Sequence, residues 1–328
     1  MQFYQSAVSA GGMLKFQSMR RRQFLISAAG AALLRGATEE QTFVYKKAGD
    51  CEISADVFGA ATGPRKPVAV WIHGGALIQG SRKLSPDSRV LRALLEVGFI
   101  VVSIGYWLVP ETKLPGIIED VRDAIRWIRG NAAKLHIEPD RLAVCGGSAG
   151  GYLTEMTGFA VEPRPKALVA FWGYGDIVGD WYSRPDPFYL RQPAVSREEA
   201  LAAVGHVAIA EPPANPNRSR FYLYCRQQGL WPKEVAGHDP KTEDKWFDPY
   251  SPLRNVTREY PPTMLVHGTA DTDVPYAQSE LMAARLKRAG VKHQFVTVPD
   301  GSHGISNIAG ADQDRIYRDA AMFLAARV

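Results

Sequence analysis

Residues 142–151 read LAVCGGSAGG, a short apolar run that ends in a serine set among glycines. The apolar run is typical of a buried strand, and the residues after it are compatible with a helix. A sharp turn between that strand and that helix would hold the hydroxyl of Ser148 exposed above a sheet. Glycine at 146 and 150 suits such a turn, because the turn brings backbone close to backbone. The N–H of Ala149 would then point toward negative charge that develops beside the serine.

The chain after residue 40 alternates between strand-like and helix-like stretches. In the later part, apolar residues recur at three- and four-residue spacing between the strand-like runs, as over residues 117–128. This alternation predicts an α/β fold whose mostly parallel sheet carries helices on both faces, with two or three antiparallel strands at the start. The eight predicted strands cover residues 42–46, 52–58, 67–73, 99–104, 141–145, 167–172, 263–267 and 294–298.

One long stretch, from about residue 173 to residue 261, lacks this alternation and is rich in proline and aromatic residues. A segment of this length is unlike a plain connection. It predicts an inserted cap between strands 6 and 7, partly helical around 197–204 and 218–227. We expect Trp172, Trp181 and Tyr182 to contact a ligand, although cap aromatics can equally form a small core of their own. The other aromatic residues considered for either role are Phe188, Tyr189, Tyr222, Tyr224, Trp231 and Trp246.

Two later segments supply partners for the serine. A serine hydroxyl is a poor nucleophile near neutral pH, so it needs a base and an acid that orients the base. The predicted seventh strand leads into HGTADTDVP at 267–275, and the eighth leads into DGSHG at 300–304. Both follow the carboxyl ends of strands, where sites form in open parallel sheets. His303 is the candidate base and Asp271 the favoured acid, with Asp273 as the alternative.

A fourth feature follows the predicted third strand, where residues 73–76 read HGGA. Small residues there allow the backbone N–H groups of Gly75 and Ala76 to approach a carbonyl oxygen from the side opposite Ala149. His73 is better interpreted as a structural residue that braces this loop than as a base.

These motifs, in this order, resemble the α/β-hydrolase superfamily, nearest its hormone-sensitive-lipase-like esterase and lipase branch. Residues 106–111, YWLVPE, and the ED and RWI groups at 119–120 and 126–128 extend the resemblance, which covers about residues 40–328. It implies Ser148 as nucleophile, His303 as general base and Asp271 as its orienting acid. It also implies an oxyanion hole built from the amides of Gly75, Ala76 and Ala149. Ala76, Gly147 and Trp107 depart from residues common in the family, which leaves the subfamily and the substrate open.

The expected activity is hydrolysis of a small-molecule carboxylic ester through an acyl-enzyme, with no metal and no cofactor. Acetyl and feruloyl esters are the candidate substrates. Two alternatives stay open. The first is a peptidase-like hydrolase related to the catalytic domains of prolyl oligopeptidases, and the second is a catalytically silent binding module. The sequence does not indicate an oligomeric state.

The formal charge of +5 comes from the first 37 residues, which carry five basic residues and no acid. The remainder is balanced, so composition does not support a nucleic-acid partner. Residues 1–40 predict an export segment, in which 21–25, RRQFL, resemble a twin-arginine motif ahead of an apolar stretch. That stretch, 24–34, is too short for a membrane span, which takes about 20 residues. The expected location is periplasmic or extracellular, with a hydrolase domain over 41–328.

Overall fold

The computed structural model describes residues 40–59, 63–213 and 217–328. The predicted export segment therefore lies outside the described residues, apart from Glu40. Every strand expected from the sequence is present. The strands are β1 (Glu40–Ala48), β2 (Cys51–Phe58), β3 (Lys66–Ile72), β4 (Ile100–Ile104), β5 (Ile137–Gly147), β6 (Leu168–Phe171), β7 (Thr263–Gly268) and β8 (His293–Val298).

The eight strands form one sheet in the order β1-β2-β4-β3-β5-β6-β7-β8. β2 pairs antiparallel with both β1 and β4, and the strands from β4 to β8 are all parallel. The predicted fold class is confirmed. β5 begins four residues earlier than the sequence indicated. Its early part pairs with β3 only at Ile137, opposite Lys66, before a register shift, so it lacks the apolar character of a central strand.

Helices cover both faces of the sheet, because its strands are apolar on both sides. Val68, Val70 and Ile72 of β3 face one hydrophobic core, whereas Ala69 faces the other. Most of the helices that close the two cores are amphipathic, with apolar residues at helical spacing, but the helix Ala149–Ala160 is buried on almost every side. The helices outside the β6–β7 connection are α1 (Arg89–Glu96), α2 (Leu114–Gly130), α3 (Ala149–Ala160), α10 (Ala277–Arg288) and α11 (Gly310–Ala325). Of these, α2, α3 and α10 cover the first face, and α1 and α11 cover the second.

The connection between β6 and β7 is a group of short helices. Two of them, α5 and α6, lie where the sequence predicted helical segments, and α5 begins with a capping box between Ser196 and Glu199. The boundaries of the cap at about 173 and 261 stay a prediction. The helices of this connection are α4 (Asp180–Ser183), α5 (Arg197–Ala202), α6 (Ser219–Gln228), α7 (Trp231–Ala236), α8 (Pro240–Glu243) and α9 (Pro252–Asn255), with 3₁₀ turns at Tyr189–Arg191 and Asp244–Tyr250.

A buried ion pair attaches this connection to the sheet. Arg218, at the start of α6, forms a bidentate pair with Glu111, with both Nη–Oε distances at 2.7 Å. The two side chains are 3% and 1% exposed. The Nε of Arg218 also donates to the carbonyl of Ile78, 2.6 Å away. Because a bidentate pair fixes both distance and orientation, it sets the position of α6 over the carboxyl ends of the strands.

Asp120, the second residue of the ED pair at 119–120, has a structural role in the fold. Asp120 is fully buried on α2, where it accepts hydrogen bonds from the backbone N–H of Trp107 and from Lys46. These contacts hold the loop that follows β4. Within the described ranges, no helix is long and apolar enough to cross a membrane.

Candidate active site

Ser148 sits on a strained turn between β5 and α3. Its backbone has φ 56° and ψ −122°, a region that costs a residue with a side chain about 1–3 kcal/mol. A Cβ atom at Gly146 would lie 2.4 Å from the carbonyl oxygen of Gly150, and one at Gly150 would lie 2.0 Å from that of Ile72. Only glycine fits at either position, so the two glycines permit the turn that lifts the serine out of the sheet.

The structure brings Ser148, His303 and Asp271 together at the carboxyl ends of β5, β8 and β7. The Nε2 atom of His303 lies 3.1 Å from the Oγ of Ser148. On its other side, the Nδ1 atom lies 2.8 Å from Oδ2 of Asp271. With the Nδ1 proton donated to the carboxylate, Nε2 presents a lone pair to the serine hydroxyl. A histidine held in this tautomer can take the proton of the serine as it attacks a carbonyl carbon.

Asp271 is held as a carboxylate by donors from its own loop. Its side chain is completely buried, and its Oδ1 accepts from the backbone N–H groups of Asp273 and Val274, each at 2.9 Å. The Nε2 of His267 lies 3.3 Å from Oδ2. Burial alone raises the pKa of this carboxyl, but the contacts with His267 and His303 and the Val274 amide outweigh it, so the pKa lies far below its usual range.

The pKa of His303 is raised above its ordinary value. Burial lowers the pKa, but the hydrogen bond to Asp271 and the negative charges of Asp273 and Asp271 more than compensate. The guanidinium of Arg226 acts in the opposite direction. The net effect favours the imidazolium form, which is the form that His303 takes on once it has accepted the serine proton.

Three backbone N–H groups of the predicted oxyanion hole have no backbone acceptor among the described residues: those of Gly75, Ala76 and Ala149. Ala149 is the first residue of α3, so its N–H has no partner within the helix. Gly75 has φ 107°, and Ala76 continues the turn with φ 56°. A turn of this shape can direct successive amides to one point, as an oxyanion hole requires.

Hydrogen bonds from Trp231 and Tyr106 fix the loop that carries Gly75 and Ala76. The indole N–H of Trp231, on α7, donates to the carbonyl of Ala76 at 3.0 Å. The hydroxyl of Tyr106 donates to the carbonyl of His73 at 2.8 Å. His73 stacks on the Tyr106 ring, with ring centroids 4.1 Å apart, and its Nδ1 lies 2.7 Å from the carbonyl of Gly74. Burial lowers the pKa of His73 to about 4, so it is neutral, and its contacts are those of a loop brace.

A second carboxylate reaches the histidine. Oδ2 of Asp273 lies 3.4 Å from Nε2 of His303, the nitrogen that faces the serine. Oδ1 of Asp273 accepts hydrogen bonds from Tyr189, Tyr222 and Arg226. The two aspartates of this loop therefore occupy different sides of the imidazole, with Asp271 at Nδ1 and Asp273 at Nε2. This geometry favours Asp271 as the orienting acid.

A pocket of about 320 Å³ opens beside Ser148. Trp172 lines it, and the Trp172 ring lies edge-on to His303 with centroids 6.3 Å apart. Its contact with a ligand stays a prediction. The other residues that line the pocket are Trp71, Gly74, Leu84, Ser88, Arg89, Val90, Gly147 and Tyr317.

The other two predicted ligand contacts lie elsewhere, within the cap. Tyr182 is 1% exposed and stacks on Trp231, and Trp181 stacks on Tyr182. The guanidinium of Arg226 lies over the rings of both. These two aromatics therefore form part of the core that the cap builds for itself, which was the other role considered for cap aromatics.

Several residues of the site could not be identified from the sequence. Arg226 had no motif to mark it, and the pocket residues Trp71, Leu84 and Tyr317 come from three distant segments. His267 is the last residue of the predicted seventh strand, and in the structure it contacts the acid of the triad. Its one signal was the spacing of four residues from Asp271. Among the described residues, no group of three or more His, Cys, Asp or Glu side chains is arranged to hold a metal ion.

Two protein-family models match parts of the chain. The BD-FAE model matches residues 56–168. These include the loop of Gly75 and Ala76, here called the oxyanion loop, and the turn at Ser148, here called the serine turn. The prolyl oligopeptidase family model matches residues 215–327, which include Asp271 and His303.

Among curated proteins, the chain is 30% identical to the non-reducing polyketide synthase ausA of Aspergillus calidoustus, over 87% of this chain and 14% of that protein. The chain thus spans about a seventh of the length of the first polyketide synthases it matches. It is 28% identical to esterase LipC of Mycobacterium tuberculosis, over 88% of this chain and 67% of LipC.

Two solved structures illustrate the shared fold. A Staphylococcus aureus protein of unknown function superposes with a TM-score of 0.71 at 23% identity, covering 88% of this chain and 99% of that chain. The butyrate-bound esterase Est2 of Thermogutta terrifontis superposes with a TM-score of 0.60 at 23% identity, covering 89% and 95%. The chain thus has the α/β-hydrolase fold, and in its matched family models and in LipC it is similar to the esterases and lipases of that superfamily.

Proposed function

We propose that this protein is a serine hydrolase that cleaves carboxylic esters through a covalent acyl-enzyme. One observation carries the proposal: Ser148, His303 and Asp271 form a continuous hydrogen-bonded chain, with distances of 3.1 and 2.8 Å. Three amides, of Gly75, Ala76 and Ala149, have no backbone acceptor among the described residues and are available as donors. The esterase relatives, LipC and Est2, support the same reaction class.

The reaction follows from these positions. Ser148 attacks the ester carbonyl while Nε2 of His303 takes its proton, and Asp271 stabilises the resulting imidazolium. The carbonyl oxygen becomes an oxyanion, for which the amides of Gly75, Ala76 and Ala149 are the available donors. Losing one such donor costs about 3 kcal/mol of transition-state stabilisation. His303 then gives the proton to the leaving alcohol, and a water molecule, activated by the same histidine, hydrolyses the acyl-enzyme.

The pocket beside Ser148 indicates where the acyl group lies. Trp71, Trp172, Tyr317 and Leu84 give the pocket apolar walls, and Gly74 and Gly147 bring it up to the serine. A volume of about 320 Å³ suits a short aliphatic chain or a single aromatic ring. The acetyl and feruloyl esters expected from the sequence both fall within this size.

A chain-length assay tests the reaction class. The purified protein is given p-nitrophenyl acetate, butyrate and dodecanoate, alongside a dipeptidyl p-nitroanilide. We expect turnover of the shorter esters, labelling of Ser148 by a fluorophosphonate, and loss of both in Ser148→Ala. Cleavage of the anilide alone would instead favour the peptidase suggested by the prolyl oligopeptidase match. No turnover and no labelling would favour a binding module.

Replacing each aspartate of the loop separately tests the assignment of the acid. Asp271→Asn removes the group that fixes the His303 tautomer, so we expect kcat to fall on the order of 10³–10⁴-fold. Asp273→Asn leaves that hydrogen bond in place and should cost far less. A larger loss for Asp273→Asn would reverse the assignment.

We also propose that the chain is exported to the periplasm or beyond the cell. The support is the sequence of residues 21–34, two arginines followed by a short apolar stretch. Fractionation of cells that express the full chain tests this. We expect the protein outside the cytoplasm, and we expect the paired change Arg21→Lys and Arg22→Lys to retain it inside. Equal distribution of the two forms would contradict export by this route.

A further inference from the structure

We propose that Asp273 forms a subsite that binds a hydroxyl group on the alcohol side of the ester, so that the protein prefers esters of alcohols with a second hydroxyl beside the esterified one. This inference rests on the proposed ester hydrolysis and adds the class of leaving group. It comes from three observations: a fixed carboxylate, an uncommitted oxygen on it, and the place of that oxygen beside the catalytic histidine.

The carboxylate is fixed through its first oxygen. Oδ1 of Asp273 accepts from the hydroxyls of Tyr189 and Tyr222, at 2.7 and 2.5 Å, and from Nη1 of Arg226, at 2.9 Å. The Arg226 side chain is 1% exposed, and it also pairs with Asp186. Three donors on one oxygen leave the carboxylate little freedom to turn. A group held this way is preorganised to receive a ligand.

The second oxygen is free. No described residue donates a hydrogen bond to Oδ2 of Asp273, and the side chain is 21% exposed. The nearest polar atom recorded for it is Nε2 of His303, at 3.4 Å. That nitrogen carries no proton before the reaction starts, because Nδ1–H is donated to Asp271. The hydrogen bonds from Tyr189, Tyr222 and Arg226 account for Oδ1 of Asp273. They leave Oδ2, an acceptor beside His303, with no hydrogen-bond donor among the described residues.

The reaction places the leaving oxygen close to this acceptor. His303 must hand its proton from Nε2 to the alcohol oxygen, so the two atoms approach to about 2.6–3.2 Å. Because Oδ2 of Asp273 lies 3.4 Å from the same nitrogen, a group on the carbon next to that oxygen can come within hydrogen-bonding distance of it. An alkyl substituent would form no hydrogen bond with Oδ2 and would keep water away from this charged oxygen. A hydroxyl on the adjacent carbon can donate to Oδ2, and hydrogen bonds to a charged acceptor are the stronger kind.

The pocket beside Ser148 has a different character. Most of its lining, including Trp172 and Leu84, is apolar, with Ser88 and Arg89 as its polar part, which suits the acyl group. The site thus offers an apolar pocket as well as a charged acceptor. A site built to bind a substrate hydroxyl rejects the analogue without it, because the acceptor is then left without a partner.

A matched pair of esters tests the subsite. We compare kcat/KM for 2-hydroxyethyl butyrate and 2-methoxyethyl butyrate, which differ in whether the leaving group has a hydrogen to donate. For the wild-type protein we expect a preference of about tenfold for the hydroxyethyl ester, the value of one charge-assisted hydrogen bond. p-Nitrophenyl butyrate is assayed alongside. Failure to hydrolyse any of the three would contradict the proposed function, whereas equal rates on the first two would contradict only the subsite.

Asp273→Asn then assigns the preference to this residue. We expect the hydroxyethyl-to-methoxyethyl ratio to fall below about threefold, since the charge that strengthens the hydrogen bond is gone. Asp180→Asn, on the exposed surface of α4, is the matched control and should keep the wild-type ratio. A loss of rate that is equal for the two esters would mean that Asp273 acts only on His303, and would overturn the subsite. If Asp273→Asn does not fold, the wild-type ratio alone still decides whether the hydroxyl is recognised.

Discussion

The indole of Trp231 donates a 3.0 Å hydrogen bond to the carbonyl oxygen of Ala76, whose N–H is one of the predicted oxyanion donors. This bond links a cap helix to the oxyanion loop. Ala76 and Leu77 both have positive φ, at 56° and 64°, which side-chain-bearing residues rarely adopt. The loop is therefore held in a strained shape by contacts from outside it. Trp231 acts on the reaction as a positioning residue.

Trp231→Phe should lower kcat by about tenfold while changing KM less than twofold. The ring volume is partly kept, but the Ala76 carbonyl loses its donor, and the loop can relax away from the oxyanion position. Steady-state kinetics on p-nitrophenyl butyrate measures both constants. Trp246→Phe is the control, because Trp246 lies in the cap and stacks on His238, away from the loop. A change in KM alone would contradict a role in positioning the oxyanion donors.

The pH profile should show an acid limb above pH 6.5. His303 accepts the serine proton only when it is neutral, and its pKa is raised, so activity is lost as pH falls through a value above the ordinary one. The negative charge of Asp273 contributes to that rise. Asp273→Asn should therefore move the limb toward lower pH, measured as kcat/KM on p-nitrophenyl butyrate. An unmoved limb would show that Asp273 does not act on the imidazole.

Glu155 should make stability fall as pH rises from about 4.5 to about 8. This residue of α3 is fully buried, neither of its carboxyl oxygens has a partner among the described residues, and burial raises its pKa to about 8. The folded protein thus binds a proton that the unfolded chain releases near pH 4.5, so the free energy of unfolding declines as pH rises from there toward pH 8. Each unit of raised pKa corresponds to about 1.4 kcal/mol.

Glu155→Gln removes this dependence because an amide does not ionise. We expect urea unfolding at pH 5, 7 and 9 to show the free energy of unfolding of the variant rising relative to that of the wild-type protein at each step. Other titrating groups contribute equally to both proteins and cancel in the difference. A constant difference across the three values would mean that Glu155 keeps its ordinary pKa in the folded state.

Leu84→Trp should shorten the accepted acyl chain. Leu84 lines the pocket beside Ser148, so a larger ring there takes up part of its volume. We expect the ratio of kcat/KM for p-nitrophenyl butyrate to that for the acetate to fall several-fold. One methylene in an apolar pocket is worth about 1–3 kcal/mol, which makes the ratio sensitive to such a change. If the ratio stays constant, the acyl group lies elsewhere.

The sequence alone determined the fold class and the order of the triad. Apolar runs mark the central strands because these must be buried on both faces of a parallel sheet, and that pattern is local. The turn at Ser148 could also be predicted, because only glycine tolerates the backbone contacts that such a turn makes at 146 and 150. Ser148, Asp271 and His303 could be chosen because each directly follows a predicted strand, and such strand ends share one edge.

Only the tertiary structure decided what surrounds that triad. Asp273 and Asp271 are two residues apart, and nothing in the local sequence says which side of the imidazole each will reach. Arg226 and Trp231 reach the site from the cap, where no strand or helix period fixes a position. The pocket draws on Trp71, Leu84 and Tyr317, which are remote in the chain. Their meeting depends on side-chain packing between separate elements, which a pattern along the chain does not encode.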